Sequence, residues 1–115
     1  MRWFKLLIIF LILCLFKTEG LVSSSETNLT STELLIQRYF PENYETALKI
    51  AKCESRLNPN AVNYRDAKIT GNPSWGLFQL NRKQFKGWND PETNIKLARE
   101  LYVRRGWQPW SCSRI

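Results

Sequence analysis

Apolar residues recur at three- and four-residue steps in three segments of the chain, which predicts three amphipathic helices. The first helix is expected to begin near Thr32, with Ser31 or Thr32 as its N-cap. It should end before Pro41, because a residue that precedes proline disfavours the helical conformation. The second helix is expected to begin at about Pro41 or Glu42, where acidic residues favour a helix start, and to end near Ser55.

The third helix has the clearest boundaries. Asp90 is a good N-cap, Pro91 suits the first helical position, and Gly106 ends the apolar pattern. Turn residues dominate the region between the second and third helices, and residues 62–70 are predicted to form a small hairpin. The pattern as a whole indicates a mainly α domain of the α+β kind, in which helices surround a small hairpin or loop region.

The N-terminus has the layout of a secretory signal peptide. A short basic start precedes an apolar run of 11 residues, Leu6–Phe16, which is too short to span a bilayer comfortably. Residues 1–20 are therefore predicted to be a signal peptide. The alternative is an uncleaved membrane anchor, since the cleavage region is not of the A-x-A type. Residues 21–31 are rich in Ser and Thr and predict a flexible linker, which leaves 32–115 as one domain.

Charge and composition limit the kinds of partner and of catalytic site that the chain can have. The net charge is +7, and it becomes +5 once residues 1–20, with three cations and one anion, are removed. A basic secreted protein favours an anionic partner such as a cell-wall polymer, whereas scattered cations argue against nucleic acid. The chain has no histidine, which excludes His-based catalytic dyads and histidine-ligated metals. No cofactor or metal is expected, and a monomer is the expected state.

Two cysteines remain after removal of the predicted signal peptide, which contains Cys14. In a secreted chain, Cys53 and Cys112 are expected to pair, with two free thiols as the alternative. The bridge would close a loop of about 60 residues, which in the loop-entropy model stabilises the fold by about 4 kcal/mol.

Two polar side chains stand beside apolar patterns. Glu54 lies at the end of the second helix, three residues after Ala51, where a half-buried carboxyl can face a cleft and donate a proton near neutral pH. Gln79 lies inside the otherwise apolar segment 74–81 and must either satisfy backbone groups or point into a site.

These features favour acid-catalysed cleavage of glycosidic bonds. Most such enzymes use two carboxylates, and Asp66 is the second candidate because Asp90 is already assigned to a cap. The tryptophans outside the signal segment suit stacking on sugar rings, although core packing is the better explanation for any single one of them. They are Trp75, Trp88, Trp107 and Trp110.

Three blocks of the sequence resemble a known family. The segments AKCESRLNPNAVN, SWGLFQLN and DPETNIKLARELY are similar, in that order, to the soluble lytic transglycosylase domain of the lysozyme superfamily. The likeness covers about residues 33–112. It implies a lysozyme-like fold with a sugar-binding cleft, and cleavage of the β-1,4 bond after N-acetylmuramic acid in peptidoglycan. Glu54 then stands at the catalytic acid/base position, and Gln79 at a glutamine that lines the cleft. Further substrate-binding candidates are Trp75, Tyr102, Trp107 and Trp110.

Departures from related enzymes bear on the mechanism. Animal-type lysozymes place a second carboxylate where this chain has Ser74, which favours the transglycosylase mode and a 1,6-anhydromuramic product. Asp66 keeps a hydrolytic route open, as in goose-type lysozymes, so Asp66 and Ser74 are the auxiliary candidates. Gly106–Trp110 replaces the family's Tyr-Asn-Ala-Gly-like turn and predicts a shortened cleft. A wall-binding module without catalysis and a basic antimicrobial protein are the remaining alternatives.

Overall fold

The computed structural model describes residues 28–114, so the predicted signal peptide and most of the predicted linker lie outside the described residues. Helix α1 spans Ser31–Tyr39. Its N-cap is Thr30, whose hydroxyl accepts a 3.2 Å hydrogen bond from the amide of Glu33. The predicted first helix is therefore confirmed, but its cap lies one residue earlier than Ser31 and the helix reaches into the segment predicted as linker.

Helix α2 spans Tyr44–Ser55 and begins later than predicted. The reason is a turn after Phe40, in which the Asn43 amide donates to the Phe40 carbonyl at 3.2 Å and keeps Pro41 out of the helix. The C-terminal end is as sharp as predicted, because Arg56 adopts a left-handed conformation there.

A three-stranded antiparallel sheet follows, formed by β1 (Val62–Asn63), β2 (Ser74–Trp75) and β3 (Leu80–Asn81) in that order. The predicted hairpin within residues 62–70 is wrong beyond the first strand. Residues Tyr64–Asp66 form a 3-10 turn, and Ala67–Thr70 form the short helix α3.

A side chain explains this difference. Asn63 accepts a 3.0 Å hydrogen bond from the Arg65 amide, which starts a helical turn where a hairpin would need extended backbone. The partner of β1 is therefore β2, with Val62 opposite Trp75, and not the chain directly after β1.

Helix α4 spans Pro91–Arg105, with the boundaries that the sequence predicts. The Asp90 carboxylate accepts hydrogen bonds from the amide of Thr93 (2.9 Å) and from its hydroxyl (2.7 Å), and these bonds lower the pKa of Asp90. This geometry confirms Asp90 as a helix cap. Gly106 ends the helix with a positive φ of 62°.

The core lies between α1, α2 and α4, and the segment that joins β2 to β3 fills it from one side. Its large side chains that are almost fully buried are Phe40, Phe78, Ile36, Ile50, Leu77 and Ile95. The fold is thus mainly α with a small sheet, as the sequence predicts. None of the helices in residues 28–114 is long and apolar enough to cross a membrane.

One buried amide holds the β2–β3 segment to α4. Asn94 is fully buried; it donates to the carbonyls of Trp75 (2.9 Å) and Trp88 (3.0 Å) and accepts from the amide of Phe78 (2.9 Å). Gly76 lies so close that an added Cβ would clash with the Asn94 amide and the Trp88 carbonyl. This contact positions the segment that carries Gln79.

Candidate active site

Glu54 lies in the last turn of α2 and is half-buried. Burial raises the pKa of its carboxyl group, and the negative charge of Asp66 raises it further. Within residues 28–114, no group donates a hydrogen bond that would hold this carboxylate in its charged form. The environment therefore favours a protonated Glu54 to a higher pH than is usual for glutamate, as a proton donor requires.

The backbone turns away immediately after this helix. Arg56 and Leu57 both adopt left-handed conformations, with φ of 55° and 58°, which two side-chain-bearing residues in succession rarely do. Ser55 closes the helix by donating a 3.1 Å hydrogen bond to the carbonyl of Ala51. The chain thus leaves the end of α2 in a turn, and Glu54 lines a cleft at that end.

The cleft beside Glu54 has a volume of about 400 Å³ and is mostly polar. It brings together four residues that the sequence singled out and several that it did not. Its walls are formed by Glu54, Asn63, Asp66, Ile69, Thr70, Ser74, Gln79, Asn81, Pro109, Ser111 and Arg114.

A hydrogen-bonded network fixes Asp66. The Ser74 hydroxyl donates to Oδ2 of Asp66 at 2.6 Å, and the side-chain amide of Asn63 donates to Oδ1 at 3.2 Å. Asn81 donates to the Ser74 hydroxyl at 3.1 Å and to the Asn72 carbonyl at 2.6 Å. Side chains from β1 and β2 thus hold the Asp66 carboxylate, and Asn81 on β3 supports Ser74. Asp66 lines the cleft together with Glu54.

Gln79 both satisfies backbone carbonyl groups and lines the cleft. Its side-chain nitrogen donates to the carbonyls of Ala61 (3.0 Å) and Gly76 (2.9 Å), and the residue lines the cleft. Its backbone φ of 48° is unfavourable for a residue with a side chain. The two hydrogen bonds orient the amide, so that its oxygen is the atom left to accept from a ligand.

The predicted disulfide between Cys53 and Cys112 is confirmed, with the two Cα atoms 6.0 Å apart. Cys53 precedes Glu54 in α2, and Cys112 lies in a 3-10 turn, Ser111–Arg114, that contributes to the cleft wall. The bridge therefore attaches one wall of the cleft to the helix that carries Glu54.

Comparison with protein families agrees with this geometry. The family model described as "Transglycosylase SLT domain" matches residues 37–104, more than half of the chain. The chain belongs to the transglycosylase SLT domain family. The match includes α2 with Glu54, the sheet, and nearly all of α4. Comparison with curated proteins and with solved structures found no match.

Membership of the SLT family supports a lytic transglycosylase-type enzyme that acts on peptidoglycan. The comparison concerns the domain as a whole and leaves the roles of individual residues as predictions. In the part of the chain that the structure describes, no group of three or more acidic or cysteine side chains could hold a metal ion.

The aromatic candidates lie away from the wall of the Glu54 cleft, which has no aromatic side chain among the described residues. Trp75 is 5% exposed, and its indole nitrogen donates to the Arg82 carbonyl. Trp110 is 2% exposed and donates to the Phe78 carbonyl, although it borders the pocket next to the cleft. The structure thus favours a packing role for both residues.

Tyr102 and Trp107 form a separate aromatic cluster with Phe40. Trp107 stacks on Phe40 with ring centroids 5.4 Å apart, and lies 4.2 Å from the Tyr102 ring. The Tyr102 hydroxyl accepts a 2.6 Å hydrogen bond from Asn43. Both residues are partly exposed, and their contact with substrate stays a prediction.

The sequence did not indicate the other polar residues of the cleft, among them Asn63, Asn81 and Arg114. In the sequence, Asn63 and Asn81 resemble ordinary turn and strand-end residues. Asn63 reaches Asp66 through a local turn, whereas the pairing of β2 with β3 brings Asn81 to Ser74, which itself binds Asp66. Arg114 lies in the C-terminal tail, and the disulfide places that tail at the cleft. Sequence spacing could have indicated Asn63, because it lies three residues before Asp66. It could not have indicated Asn81 or Arg114, whose neighbours in the cleft lie on other elements.

Proposed function

We propose that this protein is a secreted lytic transglycosylase that cleaves the β-1,4 bond between N-acetylmuramic acid and N-acetylglucosamine in peptidoglycan. Membership of the SLT family supports the substrate class and the type of enzyme. The observation that carries the catalytic assignment is the environment of Glu54, a half-buried carboxyl group with a raised pKa at the edge of a polar cleft.

In the proposed reaction, the protonated carboxyl of Glu54 donates its proton to the glycosidic oxygen as the bond to C1 of the muramic residue breaks. The resulting carboxylate then accepts the proton of the muramic 6-hydroxyl, whose oxygen bonds to C1. The products are a 1,6-anhydromuramic end and a free 4-hydroxyl on N-acetylglucosamine. One carboxyl group is therefore both acid and base, and Glu54 is the group with the required pKa direction.

Two features of Asp66 favour this route over hydrolysis. Both of its oxygens already accept hydrogen bonds, from Ser74 and from Asn63, which leaves fewer positions for an attacking water. Ser74, at the position of the second carboxylate in animal-type lysozymes, is itself committed to Asp66. We therefore assign Asp66 an electrostatic role, in which its charge raises the pKa of Glu54.

Hydrolysis is the second candidate function, because Asp66 lines the same cleft as Glu54. In that case Asp66 would bind and activate a water on the far side of the sugar, and the product would have a reducing end. The products of the two reactions differ by the mass of one water molecule, which makes them directly distinguishable.

The test is digestion of purified peptidoglycan sacculi by the protein, with mass analysis of the released muropeptides. Anhydro ends support the proposal, whereas reducing ends support hydrolysis. Glu54→Gln should lower the rate by about 100-fold or more. Glu45→Gln is the matched control, because it removes an exposed carboxyl from the first turn of the same helix. Equal cleavage by the Glu54→Gln and Glu45→Gln variants would contradict an enzymatic role for Glu54.

A further inference from the structure

The Glu54 cleft continues into two adjoining pockets. The first has a volume of about 480 Å³ and shares Gln79, Asn81, Pro109 and Arg114 with the cleft. The second has a volume of about 490 Å³ and also has Asn81 in its wall. Because Asn81 contributes to all three walls, the pockets form one groove that leads away from Glu54.

The charge of this groove changes sign along its length. Two carboxyl groups, Glu54 and Asp66, lie at one end. Four arginines follow in the extension, and we call this part the arginine groove. It is defined by Arg82, Arg104, Arg105 and Arg114. Glu100 is the one acidic residue among the groups that line the two adjoining pockets in the described chain.

The four arginines are exposed, and none of them forms an ion pair within the described residues. Among residues 28–114, the two ion pairs are Arg38–Glu92 and Arg99–Glu42, and neither includes a residue of the arginine groove. The Arg82 guanidinium packs over the Phe85 ring at 5.1 Å, which limits its freedom without satisfying its charge. The groove therefore presents guanidinium groups that can bind carboxylates from a ligand.

The walls between the arginines are apolar. Leu80 and Leu101 line both adjoining pockets, Leu97 lines the outer one, and Pro109 and Trp110 line the inner one. A ligand that suits this surface has carboxylates separated by small apolar groups. Peptides of Ala-type and acidic residues have this composition, whereas a polyol phosphate chain has no apolar groups for the leucines to contact.

We propose that the arginine groove binds the carboxylates of the short peptide that muramic acid carries on its lactyl group. This inference rests on the proposed function, because it takes a peptidoglycan strand as the chain in the cleft. The peptide is attached to the sugar next to the cleaved bond, so it can leave the cleft past Gln79 and Asn81 into the groove. The enzyme would then prefer strands that carry peptides over bare glycan.

The test measures equilibrium binding of two kinds of glycan strand, one with its peptides and one from which an amidase has removed them. Both are freed of wall-linked phosphate polymers, and a parallel set retains them. All proteins carry Glu54→Gln so that the strands stay intact. Arg104→Gln/Arg105→Gln should weaken binding of peptide-bearing strands about tenfold at low salt and leave binding of bare strands unchanged. Arg82→Gln should have a smaller effect in the same direction.

The matched control is Arg38→Gln/Lys52→Gln, which removes two exposed cations outside the arginine groove. It should weaken the binding of both strands equally or not at all. Equal weakening of both strands by Arg104→Gln/Arg105→Gln, or no weakening, would overturn the inference. An effect seen only on strands that retain phosphate polymers would overturn it too, and would assign the groove to phosphate. If the Glu54→Gln variant shows peptide-dependent binding but the unaltered protein cleaves no peptidoglycan, the inference about the groove is supported and only the proposed function is contradicted.

Discussion

The hydroxyl of Ser74 donates a 2.6 Å hydrogen bond to Oδ2 of Asp66, eight residues earlier in the chain. The bond joins β2 to the 3-10 turn after β1 and holds the Asp66 carboxylate at the cleft. The charge of Asp66 is one of the two causes that raise the pKa of Glu54. The charge of Asp66 is therefore expected to tune the pH dependence of catalysis.

Replacing Asp66 by Asn should lower the pKa of Glu54 and move the alkaline limb of the kcat/KM profile to lower pH, because a negative charge is removed. The pKa of Glu54 should remain above its usual value, since burial is the larger cause of the shift. In the proposed reaction the rate at the new optimum should fall by no more than about tenfold. The measurement is kcat/KM against pH on soluble glycan strands.

Ser74→Ala is the control for this prediction, because it removes the hydrogen bond and keeps the charge of Asp66. Its alkaline limb should stay close to that of the unaltered protein. If Asp66→Asn instead lowered the rate by about 1,000-fold without moving the limb, Asp66 would be the base that activates water, and the hydrolytic route would apply.

Glu54→Gln should make the protein more stable at neutral pH. The folded state holds the Glu54 proton more tightly than the unfolded state, because burial raises the pKa. The stabilisation from the protonated carboxyl is full below the unfolded pKa of about 4.3 and is lost as pH rises through the folded pKa. The gain in Tm from Glu54→Gln, measured by calorimetry from pH 4 to 7, should therefore increase with pH. A gain that is constant across this range would contradict the assignment.

Asn94→Ala should destabilise the fold by about 3 kcal/mol, because it removes three hydrogen bonds from a fully buried site and leaves backbone groups unsatisfied. Denaturant unfolding measures the change. Lys96→Ala, at an exposed position of the same helix, should change stability by about 0.5 kcal/mol or less. Activity should fall as well, since the segment that carries Gln79 loses its attachment to α4. A loss of stability below about 1 kcal/mol would show that the segment is held by other contacts.

Replacing both Cys53 and Cys112 by Ser should lower the free energy of unfolding by about 4 kcal/mol, because the bridge closes a loop with a sequence separation of 59. It should also lower kcat/KM, since the tail with Ser111 and Arg114 is a wall of the cleft. Stability and activity are compared with and without a reductant. The unaltered protein should lose both on reduction, and the double variant should not respond. Full activity of the double variant would show that the cleft wall holds without the bridge.

The boundaries of α4 could be predicted because they depend on local chemistry. Asp90 caps the helix with its own carboxylate, Pro91 suits the first turn, and Gly106 tolerates a positive φ. The start of α2 and the hairpin prediction were wrong, because the turn after Phe40 and the Asn63–Arg65 hydrogen bond compete with the apolar pattern. A pattern of apolar residues does not report such side-chain and turn contacts.

The roles of the aromatic residues could not be predicted from composition either. The number of tryptophans favours sugar binding, but composition does not tell which face of an indole is covered. Trp75 and Trp110 are buried, and their indole nitrogens donate to the carbonyls of Arg82 and Phe78, so that neither N–H is left unsatisfied within the fold. The direction of each side chain is decided by the elements that pack against it.

By itself, the sequence determined the helical character of the domain, the pairing partners of its disulfide, and Glu54 and Gln79 as candidate site residues, since each depends on a short pattern or on a small number of alternatives. Only the tertiary structure decided that Ser74 holds Asp66, and that the arginine groove continues the cleft of Glu54. These groups lie on separate strands, a helix and the C-terminal tail. Sheet pairing, core packing and the disulfide bring them together, and none of these long-range contacts is encoded in the spacing of neighbouring residues.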